Sequence, residues 1–505
     1  MSVYLLFAVA LIPIVWLMVS LGILKLPAHI TCSMTTLATL ILAVFVWKMP
    51  FLSAISATIE GVAVGLWPIM IVIIAAIFTY NLALHTKSMD TIKKMLSGIT
   101  TDDRIQVLIL AWGFGGFLEA VAGYGTAVAI PASILASLGF DPLFAAVICL
   151  IANTVPTAFG AVGIPVTTLA KVTGLDVASL SYAIGIQLAV FIVIIPFILV
   201  IMTRKSIKGL KGVLGITFAS GLAFAIPQVL VARFLGAELP ALLGSICSMA
   251  VTIFLAKGRN QKEGDLTKEV ITIKEGFLAW LPYMLIFFFI ILTSPLFPGI
   301  QSLLGNIETQ VVFYQGEGAK ATSFNWIATP GALIILATFL GGWIQGAKTE
   351  EIIKILLSTF KQLTKSTITV VSIVSMAKIM GYSGMITSLA IVLVEVTGKN
   401  FALISPVIGM LGTFVTGSDT SSNILFGALQ KEVAASIGVN PYWLAAANTS
   451  GATAGKMISP QSIAVATSAT GLVGSEGRIF NSTIKFCLVY VVVLGVMVYA
   501  GSLMI

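Results

Sequence analysis

The sequence predicts an all-α polytopic membrane protein built from inverted structural repeats, each with a re-entrant helical hairpin and a broken helix. Hydrophobic residues make up 58% of the 505 residues and charged residues only 10%, whereas about a quarter of a water-soluble domain is charged. Apolar runs near the length that crosses a hydrocarbon core of about 30 Å recur along the chain. Two distant stretches, Phe117–Pro142 and Phe414–Pro441, are similar to each other.

Twelve apolar runs are predicted to cross the membrane as helices. They cover residues 4–24, 29–47, 61–85, 142–160, 178–202, 213–233, 240–256, 277–297, 327–346, 366–386, 442–460 and 484–504. The first run has no Lys or Arg ahead of it and is too long for the apolar core of a signal peptide, so we expect it to be a retained span.

Two further apolar stretches, 105–138 and 402–436, are interrupted near their middle by glycine and polar residues. A continuous helix facing lipid would not accept such interruptions. Irregular backbone at membrane depth persists only where protein or a water-filled cavity surrounds it. Both stretches are therefore predicted to be re-entrant helical hairpins that enter and leave on the same side.

Positive charge is concentrated in every second loop, which predicts the orientation. The basic loops are Lys87–Arg104, Arg204–Lys211, Lys257–Lys274 and Lys348–Lys365. Cytoplasmic loops carry an excess of Lys and Arg, so the 257–275 loop is predicted to be cytoplasmic. The 298–326 loop and both termini are then external.

The chain divides into an N-terminal extra span (1–28), repeat unit 1 (29–205), linking spans (206–326) and repeat unit 2 (327–505). Aligning Pro142 with Pro441 gives an offset of 441 − 142 = 299 residues. Each unit has four crossings and one hairpin, and the three crossings that join the units invert the second. The hairpin tips then meet near the midplane from opposite sides, an arrangement found in many secondary transporters.

Each hairpin is followed by a broken helix with a shared pattern. Residues 142–165 contain Asn153-Thr154 and end at Pro165, and residues 442–460 contain Asn448-Thr449 and end at Pro460. Proline removes a backbone donor and interrupts a helix, which exposes N–H groups and the positive end of a helix dipole. Such a break favours binding of a small anion.

Polar side chains are concentrated at the hairpin tips. The second tip carries Ser418, Thr420, Ser421, Ser422 and Asn423, and the first carries Tyr124 and Thr126 among glycines. For any single Ser or Thr, the simpler interpretation is that its hydroxyl caps its own helix. The cluster as a whole, present in both halves, favours a substrate-binding site that also includes Asn153, Thr154, Asn448, Thr449 and Lys456.

Charged residues inside membrane spans are costly and by default mark function. Glu119 and Asp419 are the candidate proton-coupling residues, because loss of solvation disfavours a charged carboxylate. Lys456 either holds a substrate carboxylate or forms a static ion pair with Asp419. Lys378 is an intramembrane charge without a predicted partner, and Glu60 is interpreted as interfacial.

Three motifs resemble signatures of bacterial lactate permeases. They are Trp112–Thr126 (WGFGGFLEAVAGYGT), Ala152–Pro165 (ANTVPTAFGAVGIP) and Gly417–Asn423 (GSDTSSN). The resemblance extends over essentially the whole chain. It implies proton-coupled symport of L-lactate, with D-lactate and glycolate as further substrates, across the cytoplasmic membrane of a bacterium.

The resemblance also implies a relation to a wider superfamily of anion transporters, whose dicarboxylate carriers are inverted-repeat dimers that move by an elevator motion. In those carriers, hairpin tips with Ser-Asn-Thr patterns hold sodium and substrate. Glu119 stands here where such carriers have small polar residues, which favours protons. A homodimer is expected, with its interface drawn from spans 29–47, 61–85, 327–346 and 366–386.

Two other classes of function remain open: a sodium-coupled or exchanging carrier of another small organic anion, and a membrane enzyme or channel. An enzyme is disfavoured because the two His are not paired with Cys or acids at ligand spacing. A channel is disfavoured because two opposed hairpins suit an occluded site. No cofactor or metal site is expected, and the net charge of +8 lies in short loops, which does not indicate nucleic acid.

Overall fold

The structure is a computed structural model. It describes residues 2–20, 24, 26–123, 125–257, 271–293, 296–316, 319, 321–472 and 475–504. Within these ranges, nine helices are long and apolar enough to cross a membrane, or eleven if each of two bent pairs counts as one span. The protein is therefore an all-α polytopic membrane protein. Tyr124 and most of the 257–275 loop lie outside the described residues.

Of the first spans, only the third is longer than the sequence predicts. They comprise α1 (Val3–Met18), α2 (Ala28–Phe45), α3 (Phe51–Val64) and α4 (Ile71–His85), followed by the short α5 (Ser88–Ser97). A π-helical segment, Gly65–Met70, joins α3 to α4, and Trp67 within it has extended backbone angles. Trp67 precedes Pro68, and a residue before proline is disfavoured in helical conformation. The predicted span 61–85 is thus the second part of a bent helix that begins at Phe51.

The first hairpin has a rising arm of α6 (Asp103–Val107), a π-helical segment (Leu108–Phe114) and α7 (Gly115–Val121), and a returning arm, α8 (Thr126–Ser137). Its tip contains Gly123 and Gly125, whose φ angles are +61° and +84°. Only glycine adopts this left-handed conformation without strain. These glycines allow the chain to reverse at the tip.

The first broken helix consists of α9 (Pro142–Ala152), a 3₁₀ turn (Pro156–Phe159) and α10 (Gly160–Thr173). Long helices follow: α11 (Val177–Arg204), α12 (Leu214–Phe234), α13 (Pro240–Lys257) and α14 (Ile273–Leu292). Ala161, Val162 and Gly163 form a left-handed turn with φ angles of 43°, 58° and 75°. Regular right-handed helix in α10 therefore begins at about Ile164.

The loop after α14 contains α15 (Pro298–Gly305) and an antiparallel pair of strands, β1 (Glu308–Val311) and β2 (Thr322–Asn325). Glu308 pairs with Asn325. This β-hairpin, which the sequence analysis did not predict, is attached to the first half of the protein. Ser53 Oγ donates to the Gln315 carbonyl at 2.9 Å, and Trp67 Nε1 donates to the Asn325 carbonyl at 2.9 Å.

The second half contains the helices α16 (Pro330–Ile344), α17 (Thr349–Gln362), α18 (Thr364–Ser383), α19 (Met385–Thr397), α20 (Phe401–Thr416), α21 (Asp419–Ile437), α22 (Pro441–Lys456), α23 (Pro460–Thr470) and α24 (Glu476–Ser502). Helices α20 and α21 cover the predicted hairpin 402–436 and α22 the predicted broken helix 442–460, whereas α23 begins at the predicted end of that helix and continues to Thr470. Their order, hairpin then broken helix then long helix, is that of α6 to α11 in the first half.

Small residues allow α22 to approach α20 closely. Gly451 packs against the Pro406 carbonyl and Gly455 packs against the Met410 carbonyl. Small residues at such positions are the usual means of close helix contact in membranes. The contact fixes the end of α22, and with it Lys456, beside the tip of the second hairpin.

Contacts link the basic loops 87–104 and 204–211, and they place α17, which forms much of the basic loop 348–365, at the end of α4. Arg204 forms an ion pair with Asp103 at 3.4 Å, and Arg104 Nη1 donates to the Gly209 carbonyl at 2.7 Å. At the end of α4, His85 lies 3.8 Å from Glu351 of α17. The β-hairpin contacts the start of α3, at the other end of the same bent helix.

Candidate functional site

A cavity of about 80 Å³ lies where both hairpin tips and both broken helices meet. Its charged and polar lining residues are Glu119, Thr157, Ser418, Asp419, Thr420, Lys456, Gln461 and Ser462. A buried water needs only about 10–15 Å³ of such space. The cavity, called the central cavity below, therefore has room for several waters or one small solute.

Four helices begin at the central cavity. Its lining includes Gly125 before α8, Ile164 and Pro165 at the start of α10, Ser418 and Asp419 at the start of α21, and Gln461 in the first turn of α23. The first N–H groups of a helix have no partner within the helix, and the helix dipole is positive at this end. The backbone of the cavity is thus suited to a small anion.

Glu119 is buried in α7, with 3% of its surface exposed. Its carboxyl group fits against two residues that have no side chain. A methyl group added to Gly160 would lie 2.7 Å from Glu119 Oε1, and one added to Gly123 would lie 3.5 Å from it. Oε2 has no hydrogen-bond partner among the described residues. A buried oxygen without a partner is available to a proton or to a bound solute.

Asp419 is the first residue of α21 and is 2% exposed. Its Oδ1 accepts a hydrogen bond from Thr413 Oγ1 at 3.1 Å, whereas Oδ2 has no partner among the described residues. The cavity therefore contains two buried carboxyl groups that each have one unpaired oxygen.

Lys456 ends α22, and its Nζ donates to the Gly417 carbonyl at 3.0 Å. No described carboxylate lies within 4.0 Å of this amine. The static ion pair with Asp419, one of two interpretations from the sequence, is therefore absent from this conformation. Lys456 lines the cavity as a cation with N–H donors left for a ligand.

Asn423 does not line the central cavity but connects three helices behind it. Its Nδ2 donates to the Pro165 carbonyl of α10 at 3.0 Å. Its Oδ1 accepts from Asn448 Nδ2 and Thr449 Oγ1 of α22, each at 3.0 Å. The three side chains thus hold the hairpin tip against both broken helices.

Other predicted residues also bond to nearby backbone rather than line the cavity. Thr126 Oγ1 donates to the Gly123 carbonyl at 2.7 Å, Thr154 Oγ1 to the Leu150 carbonyl at 3.3 Å, and Ser422 Oγ to the Gly409 carbonyl at 2.8 Å. The bonds of Thr126 and Thr154 are local, as the simpler interpretation of such hydroxyls expects, whereas the bond of Ser422 joins α21 to α20. Ser421 and Asn153 are buried and do not line the central cavity.

Three polar lining residues were not predicted: Thr157, Gln461 and Ser462. Thr157 Oγ1 donates to the Asn153 carbonyl at 2.5 Å. Gln461 and Ser462 directly follow Pro460, whose position at the start of α23 places its neighbours at a helix N-terminus. Proline is common at the first position of a helix, so Pro460 could have predicted a helix N-terminus here from the sequence alone.

Lys378 has a partner in the structure. Its Nζ lies 2.6 Å from Glu60 Oε1, and Tyr382 OH donates to Glu60 at 2.9 Å and 3.2 Å. Glu60 is 2% exposed, so its carboxyl group is buried inside the protein against α18. The pair joins α3 to α18 and lies outside the central cavity.

The chain was compared with known proteins. The family model of L-lactate permease matches residues 6–504. An L-lactate permease of Streptococcus iniae is 52% identical over 438 residues, which are 86% of this chain and 92% of that protein. An L-lactate permease and the glycolate permease GlcA, both of Escherichia coli K12, are each 36% identical over 97% of this chain and 94% of their own length.

Among solved structures, the YdaH transporter of Alcanivorax borkumensis matches with a TM-score of 0.53 at 12% sequence identity, over 94% of this chain and 98% of that one. This likeness concerns the fold alone. Permeases are membrane transporters rather than enzymes, which agrees with the apolar helices described above. The match over nearly the full length shows that the chain belongs to the L-lactate permease family.

Proposed function

We propose that this protein is a secondary active transporter that takes up L-lactate and related 2-hydroxy monocarboxylates, D-lactate and glycolate, by symport with protons across the bacterial cytoplasmic membrane. The names of its relatives support the substrate class, since both lactate and glycolate permeases are similar over most of the chain. The observation that carries proton coupling is the pair of buried carboxyl groups in one cavity with a single cation.

The side-chain charges explain why a proton would accompany the substrate. With both carboxyl groups ionised, Lys456, Glu119 and Asp419 sum to +1 − 1 − 1 = −1, which repels an anion. Protonation of one carboxyl group brings the sum to zero. The helix N-termini then leave the cavity positive, so that a monocarboxylate enters after a proton.

The size and donors of the cavity fit a small 2-hydroxy acid. Lactate has one carboxylate and one hydroxyl group, and it needs only a few donors. In this proposal Lys456 and the N-termini of α21 and α23 bind the carboxylate, with the hydroxyls of Ser418 and Thr420 beside it. Thr157 and Gln461 bind the 2-hydroxyl group.

The other residues predicted to bind the substrate mainly hold neighbouring parts of the site in position. Asn423, Asn448 and Thr449 hold the second hairpin tip in place, and Asn153 supports Thr157 through a 3.4 Å hydrogen bond. Glu119 and Asp419 carry the proton.

We also propose the orientation and the motion. The side of the protein that carries the basic loops is cytoplasmic under the positive-inside rule. Both termini are then outside, and the two repeat units have opposite orientations in the membrane. The hairpins and broken helices then form a mobile unit that slides past a scaffold of α2, α3, α4, α16 and α18. A homodimer through scaffold helices would keep that scaffold still, and a native mass measurement in nanodiscs tests it.

Lactate uptake into proteoliposomes, with each ion gradient imposed alone at zero membrane potential, tests the function. A pH gradient, acid outside, should drive accumulation of labelled L-lactate above that of protein-free liposomes, and a sodium gradient should not. Accumulation driven by sodium alone, or exchange without accumulation, would favour the alternative carrier of small organic anions and contradict proton coupling.

A further inference from the structure

A second cavity, of about 480 Å³, lies beside the Lys378–Glu60 pair. Its walls are α3 and α18 on one side and α10 and α21 on the other, and residues 321–323 of the β-hairpin segment cover it. It shares no lining residue with the central cavity. We call it the outer cavity.

The outer cavity has an excess of positive charge. Its charged lining residues are Lys171, Lys378 and Glu60, which sum to +1 + 1 − 1 = +1. Two charged residues act on the site from outside the lining and offset each other: Glu308 interacts with Lys171, and Lys431 Nζ donates to the Thr173 carbonyl. Lys378 is partly exposed and uses one of its three donors on Glu60, which is buried and also accepts from Tyr382. Thus Glu60 is fully engaged by the protein, whereas Lys378 has donors to spare.

Lys171 is exposed in the last turn of α10. It forms no hydrogen bond or ion pair with any other residue that the structure describes. Thr173, Thr322 and Ser323 also line the cavity. Thr173 and Thr322 donate their hydroxyl hydrogens to the Leu169 carbonyl and to Glu60, which leaves the Ser323 hydroxyl as a donor. One unpaired cation, a second cation with free donors and one hydroxyl donor form a site for a monoanion.

Lys171 connects this cavity to the central one. It also lines a third cavity, of about 210 Å³, whose lining extends along α10 to Ile164 and includes one acidic residue, Glu238. Ile164 in turn lines the central cavity. The two residues are seven positions apart in α10, which corresponds to about 10 Å along a helix. An anion bound near Lys171 is therefore two helical turns from the central cavity.

The cover of the outer cavity is held in place. Thr322 Oγ1 donates to Glu60 at 3.4 Å, the Tyr314 ring stacks on the Tyr382 ring at 3.7 Å, and the Gln315 N–H donates to Ser56 Oγ at 3.1 Å. The segment that carries the β-hairpin is thus attached to α3 and α18. It forms an ordered wall of the outer cavity.

We infer that the outer cavity binds a small monocarboxylate through Lys171 and Lys378 before the anion moves to the central cavity. The inference rests on the proposed function, because it takes the transported substrate as the ligand. A local excess of one positive charge raises the concentration of anions and their rate of association. The outer cavity thus binds substrate that arrives from the side of the membrane on which the β-hairpin lies.

The test is the KM for L-lactate uptake into right-side-out membrane vesicles under a fixed pH gradient. Lys171→Gln should raise KM by about three- to tenfold, because removing one of two cations removes only part of the electrostatic attraction, which reaches about tenfold or more for a whole charged cleft. The maximal rate should change little. Lys171→Arg keeps the charge and should restore KM. Lys399→Gln removes an exposed lysine outside the cavity and serves as the matched control.

Ionic strength gives a second readout that a structural defect would not produce. Salt screens exposed charges, so added salt should raise KM of the wild type more than that of Lys171→Gln. If Lys171→Gln has the same KM as Lys399→Gln, the inference is overturned while the proposed function stands. If wild-type vesicles take up no lactate at all, the proposed function and this inference both fail.

Discussion

At the scale of single residues, the position of Glu119 depends on the absence of a side chain at Gly160. The backbone angles at Gly160, φ −65° and ψ 159°, are open to any residue, so glycine is not needed there for conformation. It is needed for space, because a methyl group would reach Glu119 Oε1. Gly160 therefore determines where the carboxyl group lies in the central cavity.

Gly160→Ala should displace the Glu119 carboxyl group and lower the rate of lactate uptake by about tenfold or more, since errors of about 1 Å in such sites have large effects. The measurement is uptake into proteoliposomes under a pH gradient. Gly215→Ala is the control, because a methyl group there would contact nothing within 4 Å. Equal uptake by the two variants would contradict the role given to Gly160.

The sequence identified the charged residues of the central cavity but not all their neighbours. Glu119, Asp419 and Lys456 were found because charge inside an apolar run is costly. Glu60 was missed because it lies near the start of the predicted span 61–85, while its partner Lys378 is 318 positions away along the chain. Contacts at that separation depend on how the helices pack, which a single sequence does not reveal.

At the scale of helices, Asn423 links the second hairpin to both broken helices by hydrogen bonds. It is fully buried and makes one donated and two accepted hydrogen bonds, to Pro165, Asn448 and Thr449. Each bond reaches a different residue across a helix interface. The arrangement of the central cavity therefore depends on this side chain although it does not line the cavity.

Asn423→Ala should lower the Tm of the purified protein by about 5 °C or more. The change leaves buried polar partners unsatisfied, each at a cost of about 1–3 kcal/mol, and about 1 kcal/mol shifts the Tm by a few degrees. The measurement is thermal unfolding in detergent. Asn400→Ala, at an exposed position, should leave the Tm near that of the wild type. Equal Tm values for the two variants would show that the hydrogen bonds of Asn423 are not needed for stability.

The sequence located most helices but missed the apolar α19, which lies between the predicted elements 366–386 and 402–436, and elements with weak apolar signals. Spans of about 20 apolar residues stand out, and glycine at the tips marked both hairpins. The helix α17 was missed because it is amphipathic, with Ile352 buried against Phe78 and Leu82. The β-hairpin was missed because each strand has only four residues and is stabilised by contacts with α3 and the segment before α4 rather than by a pattern of its own.

At the scale of the whole molecule, the bent helix formed by α3 and α4 separates the two faces. Over Phe51–His85 it is about 50 Å long at the rise of a regular helix. The β-hairpin segment contacts Ser53 at one end, and α17 contacts His85 at the other. The segment with the β-hairpin and the basic loops are therefore expected on opposite sides of the membrane.

Single cysteines at Gln310 and Lys354 should react with a membrane-impermeant maleimide from opposite sides. Gln310→Cys lies on exposed β1 and should be labelled from outside intact cells, whereas exposed Lys354→Cys in α17 should be labelled only after the membrane is opened. The wild type is the control, since three of its four cysteines are buried and the fourth is partly buried. Labelling of both positions in intact cells would contradict the inverted repeat and the orientation.

The most direct test of the account is whether lactate carries protons with it through Glu119. Proteoliposomes that contain a pH-sensitive dye and are held at zero membrane potential report proton entry after lactate is added outside, with protein-free liposomes correcting for diffusion of lactic acid. The wild type should show lactate-dependent acidification of the lumen. Glu119→Gln, which keeps the side-chain size, should show none, yet should still exchange internal for external labelled lactate. Acidification by Glu119→Gln at the wild-type rate, or lactate uptake by the wild type without acidification, would contradict the account.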